Sequence, residues 1–373
     1  MIKKISFTLR QKMKSFLQNV ILPAVYLFFK TIYRKEPELI VFADAHHKEI
    51  PYSMQKIHSE LEKRGYSITD VFEDYSRMSF VGSSLSAVKF MKLYAKAKVV
   101  FICDNFLPVA SCKKRKETTV VQLWHSCGLL KKMGYDTTED IPAGYKGNVY
   151  RNYDLLTVSA PALEEVFAKA THLDKSVVRA LGVSRSDIFF DGKWHDGCVS
   201  DFYGQYPEAK GKKIILWAPT FRGNAHNPYL VGVEAVKQLE AALGDEYLVI
   251  TKVHPHMEAK YSLSSCPIPT ERLLPVTDLL ITDYSSVFFD FLFFGKPCVL
   301  FAPDLEEYES KRGFYVDYDS LCPHIVTEEE KLCETVLSAI EKNETSHIEK
   351  LKAYHISSCD GCSTERIIKA AGL

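Results

Sequence analysis

Apolar, β-type runs alternate with helical segments along most of this chain, and no other feature of the sequence limits its fold so tightly. ELIVFADA (38–45) reads as a buried strand, residues 52–64 as a helix closed by Gly65, and SITDVFED as the next strand. KVVFICDN, TTVVQLWHS and DLLTVSA continue the series, the last followed by Pro161 at a helix start. The polar, Gly-containing segment from Asp191 to Lys213 breaks the pattern and is expected to be a linker. A second series follows: KKIILWAPT, a helix near residues 231–243, YLVITKVHP, DLLITDYSS and KPCVLFAPD. Strands alternating with helices build a parallel sheet covered on both faces, with ligands beyond the C-terminal ends of the strands.

A chain of 373 residues also exceeds what one hydrophobic core organises. The expected fold is therefore α/β, with two Rossmann-like, doubly wound parallel-sheet domains facing each other across a cleft. Residues 37–195 are expected to form the first domain and residues 196–373 the second, with the last helix packing back on the first.

Charge is unevenly spread. Residues 1–35 hold eight Lys or Arg and no acid, leaving 39 basic against 47 acidic side chains in residues 36–373. An acidic body argues against nucleic acid as a partner. Within residues 1–36, Ile5, Leu9, Met13, Phe16, Leu17 and Val20 recur at helical spacing between basic residues. The apolar stretch Val20–Phe29 is short for a span, so the segment is expected to lie as an amphipathic helix on an anionic membrane surface. Ten scattered cysteines without a framework spacing read as reduced thiols.

Absent motifs narrow the chemistry. The chain has no G-x-x-x-x-G-K-[ST], no G-x-G-x-x-G and no H-E-x-x-H, which disfavours a P-loop ATPase, a typical NAD enzyme and a zincin. No metal site is assigned to the lone D-x-D at Asp317 and Asp319, and no cofactor is expected.

Candidate site residues stand where strands end. His125 follows a strand and precedes Gly128, Lys131 and Lys132; a neutral imidazole can take a proton from an attacking hydroxyl, and the lysines can hold an anion. Thr220 and Arg222 follow another strand, and arginine suits bidentate contact with phosphate oxygens. Lys252, His254 and His256 follow a third. Asp283, Tyr284, Ser285 and Ser286 open an apolar helix stopped by Gly295 and Pro297, where free N–H groups and two hydroxyls suit a phosphate. Arg312 and Gly313 lie one segment further on.

In order along the chain, WHSCGLLKKMG, GVSRSDIFF, WAPTFRG, KVHPHM, TDYSSVFFDFLFFGKP, RGFYVDY and DGCSTER resemble the CDP-glycerol glycerophosphotransferases of teichoic-acid and capsule synthesis. The resemblance runs from about residue 38 to the C-terminus. It implies a GT-B type fold, peripheral attachment at the cytoplasmic face of the membrane, and attack by an acceptor hydroxyl on the β-phosphorus of CDP-glycerol with release of CMP. It further implies that His125 is the general base, that His254 contacts the pyrophosphate, and that Arg222, Ser285, Ser286 and Arg312 bind donor phosphates. Arg185 and Asp187 match the family in GVSRSD, where their roles could be structural. The form WH-x-x-G-x-x-KK looks more like members that add a first glycerol phosphate to a lipid-linked saccharide than like the polymerases. ADAHHKE, with His46 and His47, departs from the family pattern and leaves the acceptor open.

Three alternatives share these features. Ribitol-phosphate or other polyol-phosphate transferases use the same core with a different CDP-polyol. A GT-B glycosyltransferase would release a nucleoside diphosphate from a nucleotide sugar. A non-catalytic membrane-bound scaffold would keep the fold for binding alone.

Overall fold

The computed structural model describes residues 12–138, 140–141, 145, 147–224, 227–253 and 255–373. The chain forms two compact units. The first comprises the chain up to His125, Met133–Asp187 and Ser358–Leu373; the second comprises Ser126–Lys132 and Ile188–Ser357.

The first unit is built on six parallel strands: β1 (Leu39–Asp44), β2 (Ser67–Phe72), β3 (Val99–Ile102), β4 (Thr119–Gln122), β5 (Leu155–Thr157) and β6 (Val178–Arg179), in the order β2-β1-β3-β4-β5-β6. β1 and β3 are buried along their whole length, which is why they read as continuous apolar runs. On one face Ile40, Phe42, Phe101 and Val121 pack with Met54, Ile57 and Leu61 of the helix Tyr52–Lys63 and with Ile367 and Ile368 of the last helix. Each such side chain contributes about 1.5–3 kcal/mol by leaving water. Because the second strand lies outside the first, the winding reverses between β1 and β3, and that reversal opens a crevice at their C-terminal ends.

The second unit repeats the pattern. β7 (Lys213–Trp217) leads into an antiparallel hairpin of β8 (Arg222–Asn224) and β9 (Asn227–Tyr229). β10 (Tyr247–Thr251), β11 (Leu279–Thr282), β12 (Cys298–Phe301) and β13 (Ile325–Val326) complete a parallel sheet in the order β10-β7-β11-β12-β13. Its switch point lies between β7 and β11. Ile215, Trp217, Ile281 and Phe301 pack there against Val236 and Leu239 of the helix Val233–Ala242.

The segment expected to be a linker is instead largely helical. Asp191 caps the helix Gly192–Gln205 by accepting from the N–H groups of Lys193 (3.0 Å) and Trp194 (3.3 Å). Only Cys198 and Phe202 of that helix are buried, so its sequence is polar enough to read as a connection.

Near the N-terminus a helix runs from Lys12 to Ile32, 21 residues that are by length and composition sufficient to cross a membrane, although the apolar run alone reads as too short. A π-helical turn over Leu17–Ile21 lets Gln18 donate to the Leu107 carbonyl at 2.6 Å. Leu22 and Tyr26 are each 1% exposed, and the Tyr26 hydroxyl accepts from the Arg115 backbone N–H at 2.8 Å. The helix thus packs one face on the first unit while Phe16, Val20, Leu27, Phe28 and Ile32 stay exposed on the rest.

Candidate functional site

In the first unit, polar groups gather at the C-terminal ends of β1, β3 and β4. Asp44, 2% exposed, closes β1; its Oδ2 accepts from the backbone N–H groups of His46 (2.7 Å) and His47 (2.8 Å) and lies 2.8 Å from His47 Nδ1. His125 follows β4 with its side chain about half exposed and its ring stacked on Trp124 at 5.2 Å. Its Nδ1 lies 3.4 Å from the Cys103 carbonyl oxygen and 4.0 Å from Asp104 Oδ2. A proton on Nδ1 faces these acceptors, which leaves Nε2 as the basic nitrogen.

Gln122 braces this loop. Its Oε1 accepts from the Trp124 N–H at 2.9 Å and its Nε2 donates to the Asp104 carbonyl at 3.0 Å, tying the ends of β3 and β4 together. Trp124 sits at φ 59°, in the left-handed region where a bulky residue costs about 1–3 kcal/mol.

Arg185 and Asp187 also lie in the first unit, away from these groups in sequence, and Asp187 is joined to the C-terminal segment. The Asp187 carboxylate accepts from the N–H groups of Ser363 (2.9 Å) and Thr364 (2.7 Å) and so caps the last helix, Ser363–Ala370. The Arg185 guanidinium lies 5.4 Å from the Tyr52 ring centre. Gly182 has φ +85° and would place a Cβ 2.2 Å from Ser363 Oγ, so only glycine fits where GVSRSD meets DGCSTER.

In the second unit, Arg222 is 6% exposed and enclosed by acids and aromatics. It grips Asp304 with two arms, Nε to Oδ2 at 2.7 Å and Nη2 to Oδ1 at 3.0 Å, while Nη1 lies 2.9 Å from Asp283 Oδ2 and donates to the Thr220 carbonyl. Tyr284 and Tyr308, stacked at 3.8 Å, flank the guanidinium at 4.7 and 5.2 Å. Burial opposes the arginine charge, but the hydrogen bonds and charges of Asp304 and Asp283 outweigh it and hold the pKa above its ordinary value. Burial raises the Asp304 carboxyl, yet the Arg222 contacts prevail and hold it below the usual range. The fork of Arg222 is thus already filled by carboxylates in this structure.

Thr220 donates its N–H to Asp283 Oδ1 at 2.8 Å, and among the described residues its buried hydroxyl has no partner. Asp283 also accepts from the Tyr284 N–H at 2.6 Å, which fixes the turn into the helix Val287–Phe291. Ser285 and Ser286 precede that helix, half-buried, with Ser285 Oγ 3.4 Å from the Val287 N–H. Gly128, at φ +71°, lies flat on Phe289 of the same helix; a Cβ there would stand 2.2 Å from the ring. The segment that leads on to Lys131 and Lys132 is thereby packed against this helix, and it pairs with the Arg312 segment. Lys131 bridges Phe314, Lys132 N–H donates to the Gly313 carbonyl (3.0 Å), and Arg312 Nε donates to the Lys132 carbonyl (3.0 Å). Two adjacent lysines and an arginine 180 residues away in sequence therefore share one short ladder.

His254 lies outside the described residues. Lys252 directs its ammonium to the Cys266 carbonyl at 2.7 Å. Asp317, of the lone D-x-D, accepts from the Asp319 N–H and caps the turn Tyr318–Ser320. Sequence reasoning missed Asp104, Gln122 and Asp304. Asp104 and Asp304 stand just past the ends of β3 and β12, and that position was the available signal.

Comparison with known proteins agrees with this architecture. The chain is 29% identical to a teichoic acid ribitol-phosphate primase of Bacillus spizizenii over 95% of its own length and 97% of the relative's. It is 33% identical to a teichoic acid glycerol-phosphate primase of Bacillus subtilis over 63% of its length and 64% of the relative's. The fold matches the structure of the wall teichoic acid polymerase TagF with a TM-score of 0.76, at 20% identity, covering 100% of this chain and 98% of that one, which makes it an α/β fold of the GT-B type. The model of the CDP-glycerol:poly(glycerophosphate) glycerophosphotransferases matches residues 25–371, and the chain belongs to that family.

Proposed function

We propose that this transferase moves polyol phosphate from a CDP-polyol, CDP-glycerol in the first instance, to a hydroxyl of a lipid-linked saccharide or polyol-phosphate acceptor. His125 Nε2 takes the proton from the acceptor hydroxyl as its oxygen attacks the β-phosphorus. The bond from that phosphorus to the bridging oxygen breaks, CMP leaves with the electron pair, and a phosphodiester forms. Lys131, Lys132 and Arg312 neutralise the pyrophosphate, Ser285, Ser286 and the Thr220 hydroxyl donate to its oxygens, and His254 contacts it. Arg222 and Asp283 shape the pocket rather than grip the donor, since their charges satisfy each other. Asp187 anchors the C-terminal helix, and Arg185 packs over Tyr52.

The single observation that carries the reading is the cationic ladder of Lys131, Lys132 and Arg312, assembled by pairing on a segment packed, through Gly128, against Phe289 of the helix that follows Ser285 and Ser286. A ribitol-phosphate reading is favoured by one specific finding, the near full-length match to a ribitol-phosphate primase. Nucleotide analysis decides among the donors. The purified protein, given CDP-glycerol, CDP-ribitol and UDP-sugars in parallel with a lipid-linked acceptor, is expected to release CMP from a CDP-polyol. Release of a nucleoside diphosphate from a sugar donor, with none from either CDP-polyol, would make it a glycosyltransferase.

The exposed apolar face and basic composition of the N-terminal helix support attachment at the cytoplasmic face of the membrane, lying in the interface.

A further inference from the structure

Beneath the N-terminal helix, the first unit holds a cavity of about 420 Å³ whose walls are mainly apolar, formed by Leu17, Leu22, Phe80, Ala87 and Pro108. Its volume falls among those of ligand pockets, about 300–1,000 Å³. Its position has a topological reason. His46 and Asn105 line it, and they follow β1 and β3, the two strands between which the first sheet reverses its winding. Asn105 adjoins Asp104, whose carboxylate stands 4.0 Å from His125. Leu17 and Phe80 also line a second depression, with Met13, Phe16 and Ile21. Met13, Phe16 and Ile21 belong to the exposed apolar side of the helix. Leu17 and Phe80 are therefore shared between the cavity and a depression on the outward face of that helix. Lys14 lines the cavity and Lys12 the depression, and no acid occurs before Glu36 in the sequence.

We propose that this cavity holds the hydrocarbon chain of the lipid-linked acceptor, with Lys14 against the lipid phosphate and the acceptor hydroxyl led toward His125. The occupant is thus an alkyl or alkenyl phosphate, and the chain commits to the acceptor lipid rather than to bulk phospholipid. Charge supports a phosphate at the mouth, and the mainly apolar cavity next to an exposed apolar helix face supports a chain drawn sideways out of a membrane. The inference rests on the transferase reading for the identity of the acceptor, but not for the cavity's chemistry.

Photolabelling of the full chain with dodecyl phosphate bearing a diazirine on its chain tests it without turnover. Adducts are expected on peptides carrying Leu17–Leu22, Phe80–Ala87 and Asn105–Pro108. Ala87→Phe fills the cavity from a buried position, and Ser83→Phe fills it from a half-buried one, so a folding failure of the first leaves the second decisive. Either is expected to reduce labelling about tenfold and to raise KM for the lipid-linked acceptor about tenfold, with KM for the CDP-polyol and for a soluble acceptor lacking the chain unchanged. Labelling that persists in both variants, falls only on the outward face around Phe28, or is erased by phosphatidylglycerol vesicles would overturn the proposal. Labelling decides the cavity and CMP release decides the reaction, so either claim can fail without the other.

Discussion

Gln122 accepts a hydrogen bond from the Trp124 backbone N–H at 2.9 Å and so holds a tryptophan at φ 59° directly before His125. The same amide fixes the Asp104 carbonyl from the neighbouring strand end, so one buried side chain sets the loops on both sides of the imidazole. Gln122→Leu keeps the volume but leaves two backbone groups unpaired, at about 1–3 kcal/mol each. The expected outcome is kcat lowered by about 10²-fold with little change in KM for the donor, because the base is misplaced while the second unit is untouched. Steady-state kinetics with both substrates varied checks this.

Arg222 separates two roles by measurement. Arg222→Met leaves Asp283 and Asp304 buried without their cation, which costs about 3–5 kcal/mol in global stability. Arg222→Lys recovers little, since an ammonium lacks the two-armed geometry. The Arg222→Met/Asp304→Asn pair recovers part of the loss. Urea unfolding reads all three. Unchanged stability with a raised donor KM would return Arg222 to the phosphate-binding role that its residue type suggests.

Burial against Phe289 lowers the His355 pKa from 6.5 to about 4. The folded value lies below the unfolded one, so both states are neutral above about pH 6.5 and the group then adds no pH dependence. As pH falls from 6.5 toward 4, the unfolded chain takes up the proton first, and stability drops by as much as about 1.4 kcal/mol per pH unit from this group. His355→Leu is expected to remove one proton's worth of that slope, read as unfolding free energy against pH between 7 and 4.5.

The N-terminal helix has its own test. Deleting it would strip the first unit of Leu22 and Tyr26, so a surface change is more informative. Leu27 and Phe28 are 61% and 58% exposed, and replacing both with Glu leaves the packed face intact. The double variant is expected to stay in the supernatant when sedimented with anionic liposomes, while the wild type pellets. Equal pelleting of both would contradict attachment through this face.

Most strands were legible in the sequence because the central ones are buried on both faces and read as unbroken apolar runs, as in LIVFAD and VVFI. β6, β8, β9 and β13 were not, being two or three residues each, too short for any period to show. The helix Gly192–Gln205 was hidden by its polar composition, since a cap and two buried residues hold it. Candidate site residues were found by type and by position at strand ends, but their partners were not. Gln122 with Asp104, and Arg222 with Asp304, are pairs made by the sheet rather than by local sequence. Arg222 shows the consequence: arginine suits phosphate and carboxylate alike, and only the fold reveals which one it faces.

The proposed reaction turns on activation of the acceptor hydroxyl by His125. Acceptor-dependent CMP release from a CDP-polyol, measured for wild type and His125→Asn at matched folded concentration, tests it most directly. Wild-type release that depends on acceptor, and a loss of about 10²–10⁴-fold in kcat with donor KM preserved in the variant, is the predicted result. Release that continues at the wild-type rate in His125→Asn would contradict the assignment of the base.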